Sequence, residues 1–371
     1  MTIHGRHGGL GQTLVPGGGR TEHGGGRVGG FESASTLPHD APPTRKPREQ
    51  PWAGRTEVAA RQFRFGSHEH FAAVDRYRCL MPGLDSRTWF RSPEGFSDIR
   101  DASVDVNVDA DGVPDLAAVV ELVQGLLIYD VVAKPLYGVD LPAEFADAIH
   151  IRSTHELLDL LGGCTPRPAA ERAGARCRTY ALLTVAFLRA ADVPARVRCG
   201  FGAYFNPGWF EDHWAAEYWH ARDRRWIMVD AQIDAQWTAM IAYTGNSLDL
   251  RPDEFVTAGR AWTAWRNAET DPDRYGLSAI NEHGAFWIAG NLRLDVAALN
   301  KVEMLPWDVW GAGWEPQQPV PEDLSLFDTM AALTADPDRN LDRIRALYRS
   351  NDDVRMNGTV FNVLRQRLEA V

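Results

Sequence analysis

The four cysteines (Cys79, Cys164, Cys177 and Cys199) include no pair of the C-x₂₋₄-C kind and are too scattered for a disulfide framework. No uninterrupted apolar run approaches the ~20 residues of a membrane helix. The N-terminus lacks the apolar stretch of a secretory signal. Glycine clusters such as Gly17–Gly19 and Gly24–Gly26 have no flanking strand and helix and no Gly-Lys-Ser/Thr, which excludes a phosphate-binding loop. Basic charge is in the minority: the net charge is −11, and an acidic body argues against a nucleic-acid partner. Together these absences predict a cytoplasmic protein with reduced thiols and with neither membrane nor nucleic acid as partner.

What the chain does hold is apolar and aromatic material. Of its 371 residues 44% are hydrophobic and 13 are tryptophan, ample for a packed core. Residues 1–30 contain twelve glycines and residues 37–51 five prolines, too little apolar surface to offset the entropy of ordering. Residues 1–62 are therefore read as a disordered Gly/Pro-rich tail, with order beginning near Phe63. Apolar residues at helical spacing (Leu116, Val119, Val120, Val123, Leu126, Leu127) predict a helix from Leu116 to Tyr129. A second is expected over Ser153–Leu161, with Ser153 as its cap. After Pro316–Pro321 the pattern changes to short helices near Leu324–Leu333, Leu341–Tyr348 and Val360–Leu368. The chain thus divides into a tail (1–62), a main domain (63–316) and a C-terminal helical appendage (317–371).

Three residues stand where thiol chemistry needs them. From Cys177 to Ala190 the chain is rich in Ala and Leu and free of Gly and Pro, which predicts a helix with Cys177 in its first turn. Gly174 permits a tight turn into it. A thiol at a helix start faces free backbone N–H groups and the positive end of the dipole, both of which favour thiolate. Taken alone, Cys177 reads as a small buried core residue. Cys199, on the apolar face of the strand Ala195–Phe201, is assigned to the core. His213 opens a strand-like run to Trp219, and Arg225–Val229 forms another that ends at Asp230. The turn Ala221–Arg224 joins them, and folding this hairpin sets His213 opposite or diagonal to Asp230. An Asp there holds the imidazole tautomer that leaves its other nitrogen for the thiol. A one-residue slip would separate the two side chains onto opposite faces. The paired ligands of structural zinc do not accompany Cys177, so no metal is expected and no cofactor is called for.

The segments Cys177–Ala181, Val193–Val197, His213–Tyr218 and Trp226–Asp230 together resemble the transglutaminase-like superfamily, in particular stand-alone bacterial members. The resemblance spans about residues 115–235. It implies an α+β, papain-like core with the nucleophile helix packed on an antiparallel sheet. Carried over residue by residue, Cys177 is the nucleophile, His213 the base and Asp230 the orienting acid. The chain departs from the family pattern at Arg176 beside the thiol, at Trp214 after the histidine and at Ala231 after the aspartate. Gln124 is the upstream candidate for a second oxyanion donor, with a helix-surface glutamine as the plainer reading. Tyr204, Trp209 and Phe210 lie in an aromatic loop before His213 and are candidates for a substrate wall, or for a cap on the core. The function expected is acyl transfer from an amide or thioester donor, carrier-bound or small, to an amine. Hydrolysis with water as acceptor, and a non-catalytic binding module, are the alternatives. Deleting residues 1–60 should leave the melting temperature nearly unchanged; a drop of several degrees in a thermal melt would show that the segment packs on the body.

Overall fold

The computed structural model describes residues 85–371 except Gln317. The expectations for the 1–62 tail, for order from Phe63 and for Cys79 lie outside the described residues. Eleven helices are described: α1 Ser86–Arg91, α2 Leu116–Leu126, α3 Ala133–Tyr137, α4 Ala143–Ala146, α5 Thr154–Leu161, α6 Cys177–Ala190, α7 Ala235–Met240, α8 Ala258–Arg266, α9 Ala285–Leu299, α10 Ser325–Thr334 and α11 Pro337–Ser350. The strands are β1 Leu127–Tyr129, β2 Ala173–Ala175, β3 Ala195–Gly202, β4 Phe210–His220, β5 Arg225–Val229, β6 Phe255–Thr257, β7 Tyr275–Leu277, β8 Glu282–His283, β9 Asp308–Val309, β10 Thr359–Asn362 and β11 Arg367–Ala370. This is an α+β fold of mixed helices and sheets, consistent with a papain- or transglutaminase-like core. None of the described helices is long and apolar enough to cross a membrane.

The main sheet runs β6-β3-β4-β7-β8, with β5 also paired to β4. β3 and β4 are antiparallel along their lengths, and Gly200 lies opposite His213. A Cβ at Gly200 would meet the Val256 carbonyl oxygen of β6 at 2.3 Å, so this crowded position requires glycine. The other edge of β4 is divided. β7 pairs only with Phe210 and Glu211, and β5 only from Ala216 to His220. Asp212–Ala215 lie between them, so His213 occupies a gap in the pairing. α6 packs against β3 and β4; Leu183, Val185, Phe187 and Leu188 share one core with Val197, Cys199, Phe201, Trp214 and Ala216.

Several elements differ from their sequence pattern. Ser153 stands at the N-cap of α5 but makes no capping bond, and its hydroxyl is buried without a partner. The predicted Leu116–Tyr129 helix ends at Leu126, because Leu127–Tyr129 pair in parallel with Ala173–Ala175. Gly174 therefore lies in a strand, not a turn, and is small because a Cβ would meet the Phe145 carbonyl oxygen at 2.8 Å. The expected Val360–Leu368 helix is instead the β10–β11 hairpin, with β9 along the other edge of β10. Its apolar spacing fits a helix, but Asn362 accepts a turn bond from the Arg365 N–H and Gln366 adopts a positive φ of 51°. Tertiary pairing has overridden the local pattern. α10 and α11 pack on α8 and α9.

Buried charge secures this arrangement. Arg198 of β3 forms two bonds to Asp295 of α9 (3.0 and 2.9 Å), and the Cys199 N–H donates to the same carboxylate at 2.9 Å. Asp295 is fully buried. Asp295→Ala should destabilise the protein by about 3–5 kcal/mol in urea unfolding, because it removes the two-bonded partner of a buried guanidinium and leaves it only the longer bonds to Glu217 and the Thr334 carbonyl. Replacing both Arg198 and Asp295 by leucine should cost markedly less.

Candidate functional site

Arg176, the N-cap of α6, is extended (φ −123°, ψ 171°) and gives no side-chain capping bond. Its carbonyl accepts from the N–H groups of Thr179 and Tyr180. The N–H groups of Cys177 and Arg178 are thereby left at the open end of the helix, beside the thiol. The Arg176 side chain is turned to Asp130 in a two-bonded ion pair. Its guanidinium lies between the rings of Tyr129 (5.4 Å) and Trp307 (5.9 Å). Tyr129 reaches this place because β1 pairs with β2, putting it opposite Ala175, two residues before the thiol.

In the β4–β5 register Ala216 faces Val229. Asp230, one residue on, therefore stands level with Ala215 and diagonal to His213, on the same face. Its N–H is fixed by the Ser247 carbonyl at 2.8 Å. His213 Nε2 lies 2.8 Å from Asp230 Oδ2. The Tyr204 hydroxyl donates to that same oxygen at 2.6 Å, and the Gln232 N–H donates to Oδ1 at 2.9 Å. The second ring nitrogen, Nδ1, is left without this partner, and Cys177 lies close enough to the imidazole to influence its charge. The three side chains are deeply set: Cys177 is 7% exposed, His213 2% and Asp230 1%.

The other sequence candidates are distributed differently. Gln124 of α2 donates to the Ala231 carbonyl at 3.1 Å, tying α2 to the segment that carries Asp230. Trp209 packs on His283 (5.5 Å), and Phe210 stacks on Tyr275 (4.4 Å), so both join β4 to the β7–β8 hairpin. Tyr204 is engaged with Asp230. From the same loop the rings of Phe205, at 4.9 Å, and of Tyr204, at 6.1 Å, both meet His213. Phe205 in turn touches Trp237 of α7 (5.9 Å), which touches Tyr129 (5.3 Å). No periodicity marks these rings, because each belongs to a different segment. The indole N–H groups of Trp237 and Trp307 are buried without partners. Neither acid beside the histidine is free. Glu211 accepts from Asn206 and Ser278, and Asp212 accepts from Asn291 at 2.7 Å. Cys199 is wholly buried, and Cys164 is half-buried. Among the described residues no three His, Cys, Asp or Glu side chains are grouped to hold a metal ion.

Comparison with known proteins supplies one family and one solved structure. Residues 159–231 match the model of the transglutaminase-like superfamily, a segment that contains Cys177, His213 and Asp230. No curated protein gives a significant match. A crystal structure of a candidate cysteine protease from Cytophaga hutchinsonii aligns at 22% identity with a TM-score of 0.16. That alignment covers 41% of this chain and 47% of the other, less than half of either.

The site's electrostatics follow from its burial. Burial alone would depress the His213 pKa, but the charge of Asp230, its hydrogen bond and the neighbouring Cys177 raise it to about 10. Asp212 is raised to about 6 by burial, against the opposing effects of the Asn291 bond and His213. A histidine whose pKa is higher folded than unfolded adds stability that is fully present below about 6.5 and lost as pH rises toward 10. The stability difference between wild type and His213→Gln should therefore be largest near pH 6 and shrink steadily by pH 10 in denaturant titrations. A pH-independent difference would contradict the raised pKa.

Proposed function

With Cys177, His213 and Asp230 in one transglutaminase-like segment, we propose that this protein is a cysteine-dependent acyltransferase. The observation that carries the reading is the Asp230 bond to one nitrogen of the His213 imidazole. Nε2 is held by Asp230 at 2.8 Å, which directs Nδ1 to a thiol at the start of a helix. Such an arrangement favours a thiolate–imidazolium pair, because the positive ring and the helix end both stabilise the anion. The thiolate sulfur attacks the carbonyl carbon of an amide or thioester, the C–N or C–S bond to the leaving group breaks, and the His213 proton passes to a leaving amine directly or, with a leaving thiolate, to solvent. The acyl group then resides on Cys177. Neutral His213 next removes a proton from the incoming amine, the C–S bond breaks, and the thiolate–imidazolium pair returns.

The Cys177 and Arg178 N–H groups are the proposed oxyanion donors. We assign Gln124 to positioning the Asp230 segment, through its bond to Ala231. Phe205, Tyr129 and Trp237 form the wall beside the thiol, in place of Trp209 and Phe210. Their apolar rings limit water near the acyl-enzyme, which favours an amine acceptor over hydrolysis. An acyl donor on a carrier protein, in a cytoplasm that keeps thiols reduced, fits this reading. A second reading rests on the low exposure of Cys177: a binding module that retained the fold would hold that thiol inert.

Model acyl thioesters should form an adduct on Cys177, visible by intact mass, that amines discharge faster than water does. Cys177→Ala should abolish it, and Asp230→Asn should slow its formation by up to about 10⁴-fold. Limiting iodoacetamide near neutral pH should label Cys177 before Cys164 and Cys199. An adduct that survives Cys177→Ala would sink the assignment, whereas an inert Cys177 would support the binding module.

A further inference from the structure

Asp230 Oδ2 serves two donors at once, the His213 ring and the Tyr204 hydroxyl. We propose that Tyr204 is a positioning residue that, by sharing this oxygen, keeps His213 able to release its proton in the second half of the reaction. The inference rests on the acyl-transfer reading above.

The physical argument concerns how strongly one carboxylate oxygen pulls on the imidazolium. A hydrogen bond to the charged form of an acid disperses its charge and makes it a weaker base. The Tyr204 bond is short, at 2.6 Å, and lies in the same buried setting as the His213 bond at 2.8 Å. Each donor therefore weakens the other's hold on Oδ2. Without the phenol hydroxyl, Asp230 would bind the imidazolium more tightly. Tyr204 itself is placed by aromatic packing, its ring 5.2 Å from Tyr243 and 4.6 Å from Phe205. The Tyr243 hydroxyl in turn reaches Glu254 at 3.2 Å. Titratable groups approach His213 from several elements: Cys177 from α6, Asp230 beyond β5, Tyr204 from the β3–β4 loop and Asp212 from its own strand. Of these, Tyr204 meets the ring edge-on at 6.1 Å, a contact that phenylalanine would keep, while its hydroxyl reaches the ring only through Asp230.

The two halves of the reaction depend differently on His213. In the first, the Cys177 thiolate attacks while the ring is already protonated, and a thioester's thiolate leaves with little need of an acid. In the second, the ring must first give up its proton to solvent, and the amine then loses a proton to neutral His213 as its nitrogen bonds to the carbonyl carbon and the C–S bond breaks. An imidazolium held too firmly leaves less free base for this step. Below both pKa values, a rise of one unit lowers the neutral fraction about tenfold.

Tyr204→Phe keeps the ring and removes only the hydroxyl. Intact-mass kinetics on the full chain should show acylation within about twofold of wild type, and amine discharge slowed by up to about tenfold. Equal slowing of both steps, or of neither, would overturn the proposal. Tyr204→Leu, which also removes the ring, is expected to slow both steps and so marks the structural effect. NMR of the His213 imidazole, with no substrate present, supplies a readout independent of the chemistry. On Tyr204→Phe the Nε2–H proton should move downfield and the ring should titrate at higher pH. An unmoved or upfield resonance would refute the sharing. If wild type forms no acyl adduct, the acyl-transfer reading fails while the NMR result still decides the hydrogen-bond claim.

Discussion

An ionised carboxylate in a protein interior must be given donors, and Asp230 is given three. They come from a strand, an aromatic loop and the backbone two residues on, so the carboxylate fixes the relative position of all three. This requirement governs the surrounding structure. β4 has to approach Asp230 without a strand between them, which the divided edge between β5 and β7 allows. Gly200 behind His213 lets β6 come close on the other side of β3. The loop after β3 must fold back so that Tyr204 reaches the same oxygen. A buried carboxylate stripped of its imidazole partner would be destabilising by about 3–5 kcal/mol.

Arginine plays the corresponding part for the helix. Arg178, next to the thiol, is buried and donates to the carbonyls of Ile151, Arg152 and Glu303. Arg189, near the other end of α6, donates to the carbonyls of Phe90 and Ala195 and to Ser97 Oγ. Both ends of α6 are therefore tied to segments remote in sequence. Burial lowers the Arg178 pKa to about 10 against the nearby charges of Glu303 and Asp308, so the guanidinium remains charged at neutral pH. The helix that carries Cys177 is held at both ends, which is what the proposed thiol–imidazole pair demands.

The parts of this structure legible from sequence are those set by local pattern. The Ala/Leu-rich run gave helix bounds of Cys177–Ala190, and two strand-like runs around Ala221–Arg224 gave the hairpin that brings Asp230 diagonal to His213. Contacts between distant segments were not legible. Phe205 and Tyr204 look alike as neighbouring aromatic residues and both pack on His213, yet only Tyr204 also bonds Asp230. The β10–β11 hairpin has helical spacing, yet its two strands pair with each other and β10 also pairs with β9, some fifty residues upstream. Gly174 signalled a turn, whereas its role is a close backbone approach within β2. In each case the deciding partner lies far along the chain, beyond the reach of periodicity.

The order of Cys177, His213 and Asp230 along the chain has a consequence for synthesis. A ribosome releases the thiol first, then the ring, and the carboxylate last. Until β4 and β5 have paired in register, the cysteine has neither an imidazole nor a fixed helix end beside it. Chemically it is then an ordinary thiol. Under the proposed chemistry, reactivity would arise only with the completed hairpin, so nascent and misfolded chains would be protected from acylation without a separate pro-segment.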